Sequence, residues 1–360
     1  MSANSAFLKK IDDNLTIYRS TRSDSERLAR FYSTIFKKSD GSPDESFYAY
    51  VDDLLNGKHP TFQEDDFVFI EDNRSGKIVS AMKLISQTWT YGGIPIPAGR
   101  PETVATDPKY RNRGLVRALF EVVHEWSRQR GELLQGITGI LYYYRLFGYE
   151  MCVEMEGGWR GTPDSLPAIT EKLKESYRIH SAEEKDLPFI ASLYRQSCDW
   201  LLLACPRPEE IWRGELFVRS PKSGDYRVVW MIESPQNEPL GFFLHPSDLG
   251  PDYVDETSLG CDWYTLKPGV SYLEVTPVVL QHLLKTGQEY AATKGKSCTG
   301  IGLYLDSGHP AYQVVEQSLP CKVHEYSWYM RIPDMPAFLR KVSPVLENRL
   351  EKKDRSLYTQ

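Results

Sequence analysis

Val104-Ala-Thr-Asp-Pro-Lys-Tyr-Arg-Asn-Arg-Gly-Leu-Val-Arg117 is the most informative stretch of this sequence. The pattern over Glu102–Thr106 predicts a β-strand. Asp107-Pro108 ends that strand, and an apolar stripe of helical period predicts a helix over about Gly114–Gln129. The sequence therefore predicts a strand, a short loop with two arginines, and a helix that starts directly at a glycine.

A loop of this kind can hold phosphate oxygens. The backbone N–H groups at a helix start have no intrahelical acceptors and lie at the positive end of the helix dipole. Gly114 lets a ligand approach the backbone because it has no Cβ, and Arg111 and Arg113 can add charge-assisted contacts. A solvated helix start can carry the same residues, so the loop alone leaves both interpretations open.

The chain divides into two halves that begin alike. In the first half, the strand Leu15–Thr21 precedes a helix that a capping box of Ser23 and Glu26 is expected to open. In the second half, Tyr177–Ser181 and Glu184–Tyr194 repeat this strand and helix. A duplication explains the repeat, and two unrelated strand–helix openings are the alternative.

Further elements are predicted in both halves. In the first half they are a helix at 46–55, strands at Phe67–Glu71 and Ile78–Trp89, and a loop at Tyr91–Arg100. In the second half they are a hairpin of Arg227–Ile232 and Leu240–Leu244, a strand at Ser271–Val275, a helix at Val278–Lys294 and a strand at Thr299–Leu305. The sequence thus predicts a mixed α/β fold.

The composition excludes several classes of protein. Of the 360 residues, 41% are hydrophobic and 26% are charged, and the net charge of −6 argues mildly against general binding of nucleic acid. The longest apolar run, Trp200–Cys205, is far shorter than the roughly 20 residues of a membrane helix. The cysteines and histidines are dispersed without metal-ligand spacing. We therefore expect a cytoplasmic protein without a metal and without a membrane partner.

A cluster of tyrosines follows the next predicted strand. Glu132–Thr138 has a strand pattern, and Tyr142-Tyr-Tyr-Arg-Leu-Phe-Gly-Tyr149 comes after it. Arg111-x-x-Gly114, followed by Tyr144-x-x-x-Gly148-Tyr149, resembles the GCN5-related N-acetyltransferase (GNAT) superfamily. More narrowly, Val104–Met151 and the repeated second half resemble the Eis-like (enhanced intracellular survival) branch. The resemblance implies two tandem GNAT-type domains, each with a central, mostly antiparallel twisted sheet flanked by helices.

The resemblance also implies where acetyl-CoA, the co-substrate, would bind. Val104, Ala105 and Thr106 would hold the pantetheine arm through backbone groups. The pyrophosphate would be cradled by Asn112, Arg113, Gly114, Leu115, Val116 and Arg117. Arg111 occupies the first position of the superfamily's Q/R-x-x-G-x-G/A signature. Its last position, a glycine or alanine in the superfamily, is Val116 here, and a β-branched residue narrows the approach to the phosphates.

Tyr144 takes the position of the superfamily's catalytic tyrosine. A phenol with a pKa near 10 is protonated at neutral pH and can supply a proton to a departing thiolate of lower pKa. Tyr142 and Tyr143 are expected to pack in the core or to line the cleft instead. Glu102 lies on the same strand face as Val104, which makes it a candidate base acting through water. A structural ion pair of Glu102 with Arg100 or Arg113 is the alternative.

The second half is expected to lack the cofactor apparatus. Val275–Val279 would lead from strand to helix without an Arg-x-x-Gly loop. This half therefore resembles a degenerate, non-catalytic GNAT-like domain that walls the acceptor cleft. Met335–Leu350 predicts a helix at the point where the resembling proteins enter a sterol-carrier-like domain, which is expected to be absent here. The predicted divisions are a catalytic domain (1–160), a linker (161–175), the degenerate domain (176–331), and a C-terminal helix and tail (332–360).

These observations predict an acetyl-CoA-dependent N-acetyltransferase. Its acceptor would be a primary amine, on a small molecule or on a lysine side chain, and a homo-oligomer is compatible with this function. The alternative is a catalytically silent acyl-CoA-binding or interaction protein that retains the fold. Val116 and the absent third domain favour this alternative, whereas Tyr144 and the loop Arg111–Gly114 favour the enzyme.

Overall fold

The computed structural model describes residues 6–38, 40–57, 59–155, 157–250 and 257–357. The elements of the first half alternate between strands and helices. In chain order they are β1 (Ala6–Lys10), β2 (Leu15–Arg19), α1 (Ser25–Ile35), α2 (Glu45–Leu55), β3 (Phe67–Asp72), β4 (Lys77–Tyr91), β5 (Ile94–Thr106), α3 (Leu115–Gln129), β6 (Leu134–Ile137) and β7 (Glu150–Met155).

The second half repeats this alternation with shorter strands. Its elements are β8 (Gly158–Gly161), α4 (Glu171–Ser176), β9 (Arg178–Ser181), α5 (Leu187–Cys198), β10 (Leu203–Ala204), α6 (Glu209–Arg213), β11 (Arg227–Glu233), β12 (Pro239–Pro246), β13 (Ser258–Cys261), β14 (Trp263–Leu266), α7 (Tyr272–Thr293), β15 (Gly300–Leu303), α8 (Tyr312–Val315), β16 (Cys321–Val323), β17 (Tyr326–Arg331) and α9 (Met335–Leu357).

The strands form three sheets. The first has the order β1-β2-β3-β4-β5-β6-β17-β7, and β10 also pairs with β4. The second and third have the orders β14-β12-β11-β9 and β13-β15-β8-β16. The ladders are antiparallel except for the parallel pairs β5–β6 and β13–β15. The predicted mixed α/β fold, with mostly antiparallel sheets flanked by helices, is confirmed.

Strands are exchanged between the two halves: besides β10, which pairs with β4, each half donates one strand to the other. β8 follows β7 in the chain, yet it pairs with β15 and β16 in the second half. β17 follows β16, yet it pairs with β6 and β7 in the first half. The predicted domain boundaries near residues 160 and 331 fall at these two strands. The division into domains stays a prediction, to which the structure adds this reciprocal exchange.

The helices of the first half cover both faces of its sheet. α3 packs Leu119, Phe120 and Val123 against one face, together with Tyr144 and Tyr149. α1 and α2 cover the other face, where α1 buries Leu28, Phe31 and Tyr32. α3 therefore lies between the sheet and solvent, with its first turn at the end of β5.

Three predicted elements of the chain are corrected by the structure. The capping box is formed by Thr21 and Asp24, two residues earlier than predicted, and it opens a 3₁₀ turn, Arg22–Asp24, that leads into α1. The expected loop Tyr91–Arg100 is a tight hairpin turn, because Gly92 and Gly93 both adopt positive φ, 54° and 82°. Pro95 and Pro97 suggested a loop, but both lie on the exposed side of β5, where alternate residues are buried.

The third correction concerns Ser271–Val275, which was expected to be a strand. Ser271 is the N-cap of α7, and Val275, Val279 and Leu283 are buried at helical spacing along one face of that helix. The short segment had no apolar period that distinguishes a strand from a first helical turn. The loop that leads into α7 is therefore 267–271, and the expected transition from strand to helix at Val275–Val279 was wrong.

Candidate active site

β5 bulges outward beside the middle of β4. Ala81 faces Ala105 and Lys83 faces Glu102, so Thr103 and Val104 together oppose one residue of β4. Thr103 has a φ of 48°, in the left-handed region that a β-branched residue rarely adopts. Such a bulge bends the strand and increases its twist. The bulge therefore turns the end of β5 out of line with β6.

β5 and β6 diverge beyond a short parallel ladder. They pair at Ala98–Leu134 and Gly99–Gln135, and β5 then continues to Thr106 beside β4 alone within the described residues. Beyond the ladder the edges of the two strands are no longer hydrogen-bonded to each other, and we call the gap between them the cleft. Val104, Ala105 and Thr106, the residues expected to hold the pantetheine arm, form the β5 edge of the cleft. Ala105 is buried beneath it.

The loop Arg111–Gly114, which we call the glycine loop, lies between β5 and α3 and is exposed. Asn112 and Gly114 both have positive φ, 62° and 73°, which folds the loop tightly before the helix. A Cβ added to Gly114 would have no atom within 4 Å, so the backbone there is open. The N–H groups of the first turn of α3 have no acceptor within the helix. The geometry of an anion cradle is therefore present.

Of the three side chains that follow Gly114, two pack on the core and the third is exposed. Leu115 is buried in the core, and Val116 packs against the same core cluster. Arg117 is exposed, lies over the Phe147 ring at 5.3 Å, and donates a hydrogen bond from Nη1 to the Leu146 carbonyl at 3.4 Å. The valine that departs from the family signature therefore directs its side chain onto the core.

Tyr144 lies in a single 3₁₀ turn, Tyr143–Phe147, after β6. Its side chain is 5% exposed, and its ring packs edge-on against Phe120 and Tyr329, with ring centroids 6.1 Å and 5.4 Å away. A Cβ built on Gly139 would lie 3.3 Å from the Tyr144 hydroxyl, so that hydroxyl lies against the end of β6. Burial raises the pKa of Tyr144 far above its usual value. The hydroxyl is therefore protonated at any working pH.

The two neighbouring tyrosines have different environments. Tyr143 is half-buried, and its ring centroid lies 5.3 Å from that of Tyr144. Tyr142 is 61% exposed, has a φ of 62°, and lies under the Arg145 guanidinium at 4.9 Å. Tyr143 packs against the core as expected, whereas Tyr142 lies on the surface beside it.

The exchanged strand β17 holds the segment that precedes Tyr144. The Tyr329 hydroxyl donates a hydrogen bond to the Ile140 carbonyl at 3.0 Å, and the Tyr326 hydroxyl donates one to the Gly139 carbonyl. Arg331 donates a hydrogen bond from Nη1 to Oε1 of Gln135 at 2.8 Å, on the strand β6 that precedes the turn of Tyr144. The sequence analysis missed these residues. The alternation over 326–331 indicates a strand, but it carries no information about which sheet that strand joins.

Glu102 belongs to a buried cluster of charged groups. It forms ion pairs with Arg100 and with Lys83, whose Nζ lies 3.4 Å from Glu102 Oε2, and it accepts a hydrogen bond from the Tyr50 hydroxyl at 2.7 Å. Despite the opposing effect of burial, the two cations and the tyrosine lower the pKa of Glu102 to about 2. The ion pair with Arg100 is one of the alternatives that the sequence left open. The role of Glu102 as a base stays a prediction.

Lys83 is fully buried beside Glu102. Its ammonium lies 3.7 Å from the centroid of the Tyr50 ring, and burial lowers its pKa to about 8. A single lysine in a strand pattern does not indicate that it is buried or which residue it pairs with. Its partner is set by the register across the bulge, which brings Lys83 opposite Glu102.

Two further findings concern the part of the chain that the structure describes. No group of three or more histidine, cysteine, aspartate or glutamate side chains there could hold a metal ion. No helix there combines the length and apolar character needed to cross a membrane.

Comparisons with known proteins agree with this geometry. Residues 16–152 match the family model of an acetyltransferase (GNAT) domain. No curated protein is a significant match to the sequence. The fold is similar to that of a GCN5-related N-acetyltransferase from Kribbella flavida, with 17% identity over 92% of this chain and 74% of that chain and a TM-score of 0.59.

Two other solved structures are similar over most of the chain. One is a conserved protein of unknown function from Enterococcus faecalis V583, a probable N-acyltransferase, with 13% identity, a TM-score of 0.62, and 91% and 75% of the two chains covered. The other is a GCN5-related N-acetyltransferase from Anabaena variabilis, with 16% identity, a TM-score of 0.59, and 89% and 73% covered. The matched segment 16–152 holds the diverging strands, the glycine loop and Tyr144, and the chain thus contains an acetyltransferase domain of the GNAT type.

Proposed function

We propose that this chain is an acetyl-CoA-dependent N-acetyltransferase that acetylates a primary amine. The observation that carries the proposal is the cleft between β5 and β6, with the glycine loop at its outer end and Tyr144 at the end of β6. An anion cradle then follows β5, and a protonated donor follows β6, the two strands that diverge. Acyl transfer from a phosphate-bearing thioester needs both groups.

The residues of the cleft fit acetyl-CoA. Gly114 presents open backbone that a Cβ would cover, and Arg111 and Arg113 are exposed beside it. The pyrophosphate would be held by N–H groups of residues 112–117, and the pantetheine arm by the backbone of Val104–Thr106. Acetyl-CoA supplies the activated acetyl group. The side chain of Val116 packs on the core, so the N–H groups of the first turn remain accessible to a phosphate.

Tyr144 is the general acid of the proposed reaction. The amine attacks the thioester carbonyl directly, and the sulfur that leaves as a thiolate needs a proton. The phenol is surrounded by the rings of Phe120, Tyr143 and Tyr329, which exclude water and keep it protonated. A thiolate in the same apolar surroundings is also destabilised, which favours the transfer of the proton to sulfur.

Glu102 is the candidate for the base that accepts the proton of the amine through water, and the sequence left a structural ion pair as the alternative. Its ion pairs argue for a second role, because a carboxylate with a pKa of about 2 accepts a proton weakly. The cluster with Lys83 and Arg100 would then orient the bulge rather than move a proton. The double variant Glu102→Gln/Lys83→Met separates the two roles.

We further assign the two halves to a duplicated, Eis-like arrangement. The second half repeats the order of strand, helices, hairpin, long helix, strand and short helix seen in the first. Its two sheets are joined at Asp262 between β13 and β14, where the first half has the continuous strand β5. The second half would shape the acceptor site, and it contributes β17 to the sheet beside Tyr144.

The proposed activity is tested in two steps on the full chain. A thermal shift with acetyl-CoA measures binding, and the release of CoA thiol upon addition of a panel of amines measures transfer. We expect stabilisation by acetyl-CoA and thiol release with at least one class of amine. Binding without thiol release from any amine favours the silent acyl-CoA-binding protein instead.

A further inference from the structure

The second half contains an open cavity of about 1090 Å³, which we call the second-half cavity. This volume is slightly above the roughly 300–1,000 Å³ typical of small-molecule sites. One wall is β14 with the loop 267–270, and the opposite wall is the segment 304–310 after β15. The strand β8, donated by the first half, closes the base through Gly158 and Trp159.

The cavity arises in the same way as the cleft of the first half. The parallel ladder between β13 and β15 ends at Cys261–Leu303, and β14 then pairs with β12 instead. The chain therefore diverges from β15, as β5 diverges from β6. The loop into α7 also contains a glycine with positive φ, Gly269 at 87°. The backbone geometry is repeated, so the chemistry of the lining decides what can bind.

Aromatic side chains supply much of that lining. Indole rings come from three different segments, at Trp159, Trp200 and Trp263, and phenol rings come from Tyr272 and Tyr304. Trp200 is 90% exposed at the rim, so its indole is not needed by the core. Aromatic rings present a negative face to a ligand, and ammonium groups bind to such faces.

The charged lining is acidic. Carboxylates outnumber ammonium groups by four to two, the former at Glu154, Asp262, Asp306 and Glu325 and the latter at Lys267 and Lys322. Lys322 is already paired with Glu325 at 3.0 Å, and Asp262 is paired with Arg227. His309 adds no positive charge, because its Nε2 donates to the Tyr264 carbonyl at 2.8 Å while its Nδ1 accepts from the Ala311 N–H at 3.2 Å.

We propose that the second-half cavity binds an organic cation, an ammonium group carried on an apolar body. Glu154 and Asp306 attract the ammonium, and the indole and phenol rings accommodate both the charge and the apolar part. A polyphosphate such as that of CoA meets carboxylates here instead of the two exposed arginines of the glycine loop. This site is additional to the proposed acetyl transfer and does not depend on it.

The test compares three ligands of the same shape and different charge: 4-phenylbutylamine, 4-phenylbutan-1-ol and 4-phenylbutanoate. Each is titrated into the full chain without acetyl-CoA while the tryptophan fluorescence is followed. We expect the amine to bind about tenfold more tightly than the alcohol, with the carboxylate weakest. Equal affinities for the amine and the alcohol would overturn the proposal.

Variants assign the binding to this cavity. Asp306→Asn keeps an oxygen for the Gly308 N–H, and Glu154→Gln changes an exposed side chain, so neither threatens the fold. Each should weaken the amine several-fold without affecting the alcohol, and Trp200→Ala should reduce the fluorescence change. Glu210→Gln, an exposed carboxylate outside the cavity, is the control. If both cavity variants bind the amine like the unaltered chain, the ligand binds elsewhere and the inference is wrong.

Discussion

The Tyr329 hydroxyl donates a hydrogen bond to the Ile140 carbonyl at 3.0 Å, although 189 residues separate the two in the chain. Tyr329 lies on the strand that the second half donates, and Ile140 lies in the segment that leads to Tyr144. The Tyr329 ring also packs against the Tyr144 ring. The position of the proposed acid therefore depends on a strand from the other half of the protein.

Replacement of Tyr329 by phenylalanine tests this dependence. The ring remains and the Ile140 carbonyl loses its donor, which should cost about 1 kcal/mol of stability. We expect the rate of acetyl transfer to fall several-fold with unchanged acetyl-CoA affinity, because the glycine loop is not touched. Tyr18→Phe, on β2 near the opposite edge of the sheet, is the control and should leave both quantities unaltered. An unchanged rate in Tyr329→Phe would show that the hydrogen bond does not position Tyr144.

The strand exchange predicts that the first half does not fold alone. A fragment of residues 1–160 lacks β17, which leaves β6 and β7 without the strand between them. We expect this fragment to lack a cooperative thermal transition by circular dichroism. A fragment of residues 1–155 joined through a flexible linker to residues 324–357 restores the strand and should regain the transition. A cooperatively folded 1–160 fragment that binds acetyl-CoA would contradict this account of the sheet.

The glycine loop is tested by changing Gly114 to leucine. A side chain there projects into the open space above the first turn of α3 and should prevent the approach of phosphate. The positive φ adds strain of about 1 kcal/mol. Gly131 at the other end of α3 has a φ of 67° and equally open surroundings, so Gly131→Leu carries the same strain. We expect similar thermal destabilisation of both variants and loss of acetyl-CoA binding, measured by calorimetry, only in Gly114→Leu.

The sequence was sufficient to predict the secondary structure around the glycine loop because its signals are local. A strand, a glycine and an amphipathic helix follow one another within Glu102–Gln129, and the structure has each of them in that order. The hairpin turn at Gly92-Gly93 could also have been predicted, since adjacent glycines favour a turn with two positive φ angles. The outward-facing prolines on β5 concealed it.

The exchange of β8 and β17 could not be predicted in the same way. A strand pattern specifies which residues face the core, but backbone hydrogen bonds are the same with any partner strand. A hairpin between β7 and β8 would satisfy the local pattern equally well. The pairing of Glu102 with Lys83 was hidden for a similar reason, because Lys83 comes opposite it only through the register shift at the bulge.

The buried charge cluster makes a prediction about stability. Glu102→Gln leaves the Lys83 ammonium buried without its carboxylate and should destabilise the protein by about 3–5 kcal/mol at pH 7. Lys83→Met in addition removes the buried charge and should recover part of this loss, as chemical denaturation will show. If Glu102 is only structural, the double variant also regains activity. Continued inactivity in a well-folded double variant supports Glu102 as the base.

The same cluster predicts a dependence on pH. The pKa of Glu102 is lowered to about 2, so the stability that it contributes is complete above its ordinary pKa near 4.5 and is lost as the pH falls towards 2. Lys83 matters at high pH. Its pKa is about 8 and falls further without Glu102, so at pH 9 the lysine is mostly neutral whether or not the carboxylate is present. The destabilisation caused by Glu102→Gln should therefore be smaller at pH 9 than at pH 7. Denaturation at the two pH values measures this difference, and an equal loss at both contradicts the assignment.

Tyr144→Phe is the most direct test of the proposed chemistry. The ring and its contacts with Phe120 and Tyr329 remain, so acetyl-CoA affinity and the fold should be nearly intact. General acids typically contribute about 10²–10⁴-fold, and the single-turnover rate should fall within that range. Tyr143→Phe, in the same turn with a half-buried hydroxyl, is the matched control and should retain most of the rate. A full single-turnover rate in Tyr144→Phe would make this tyrosine structural, and a selective loss in Tyr143→Phe would move the proton donor to its neighbour.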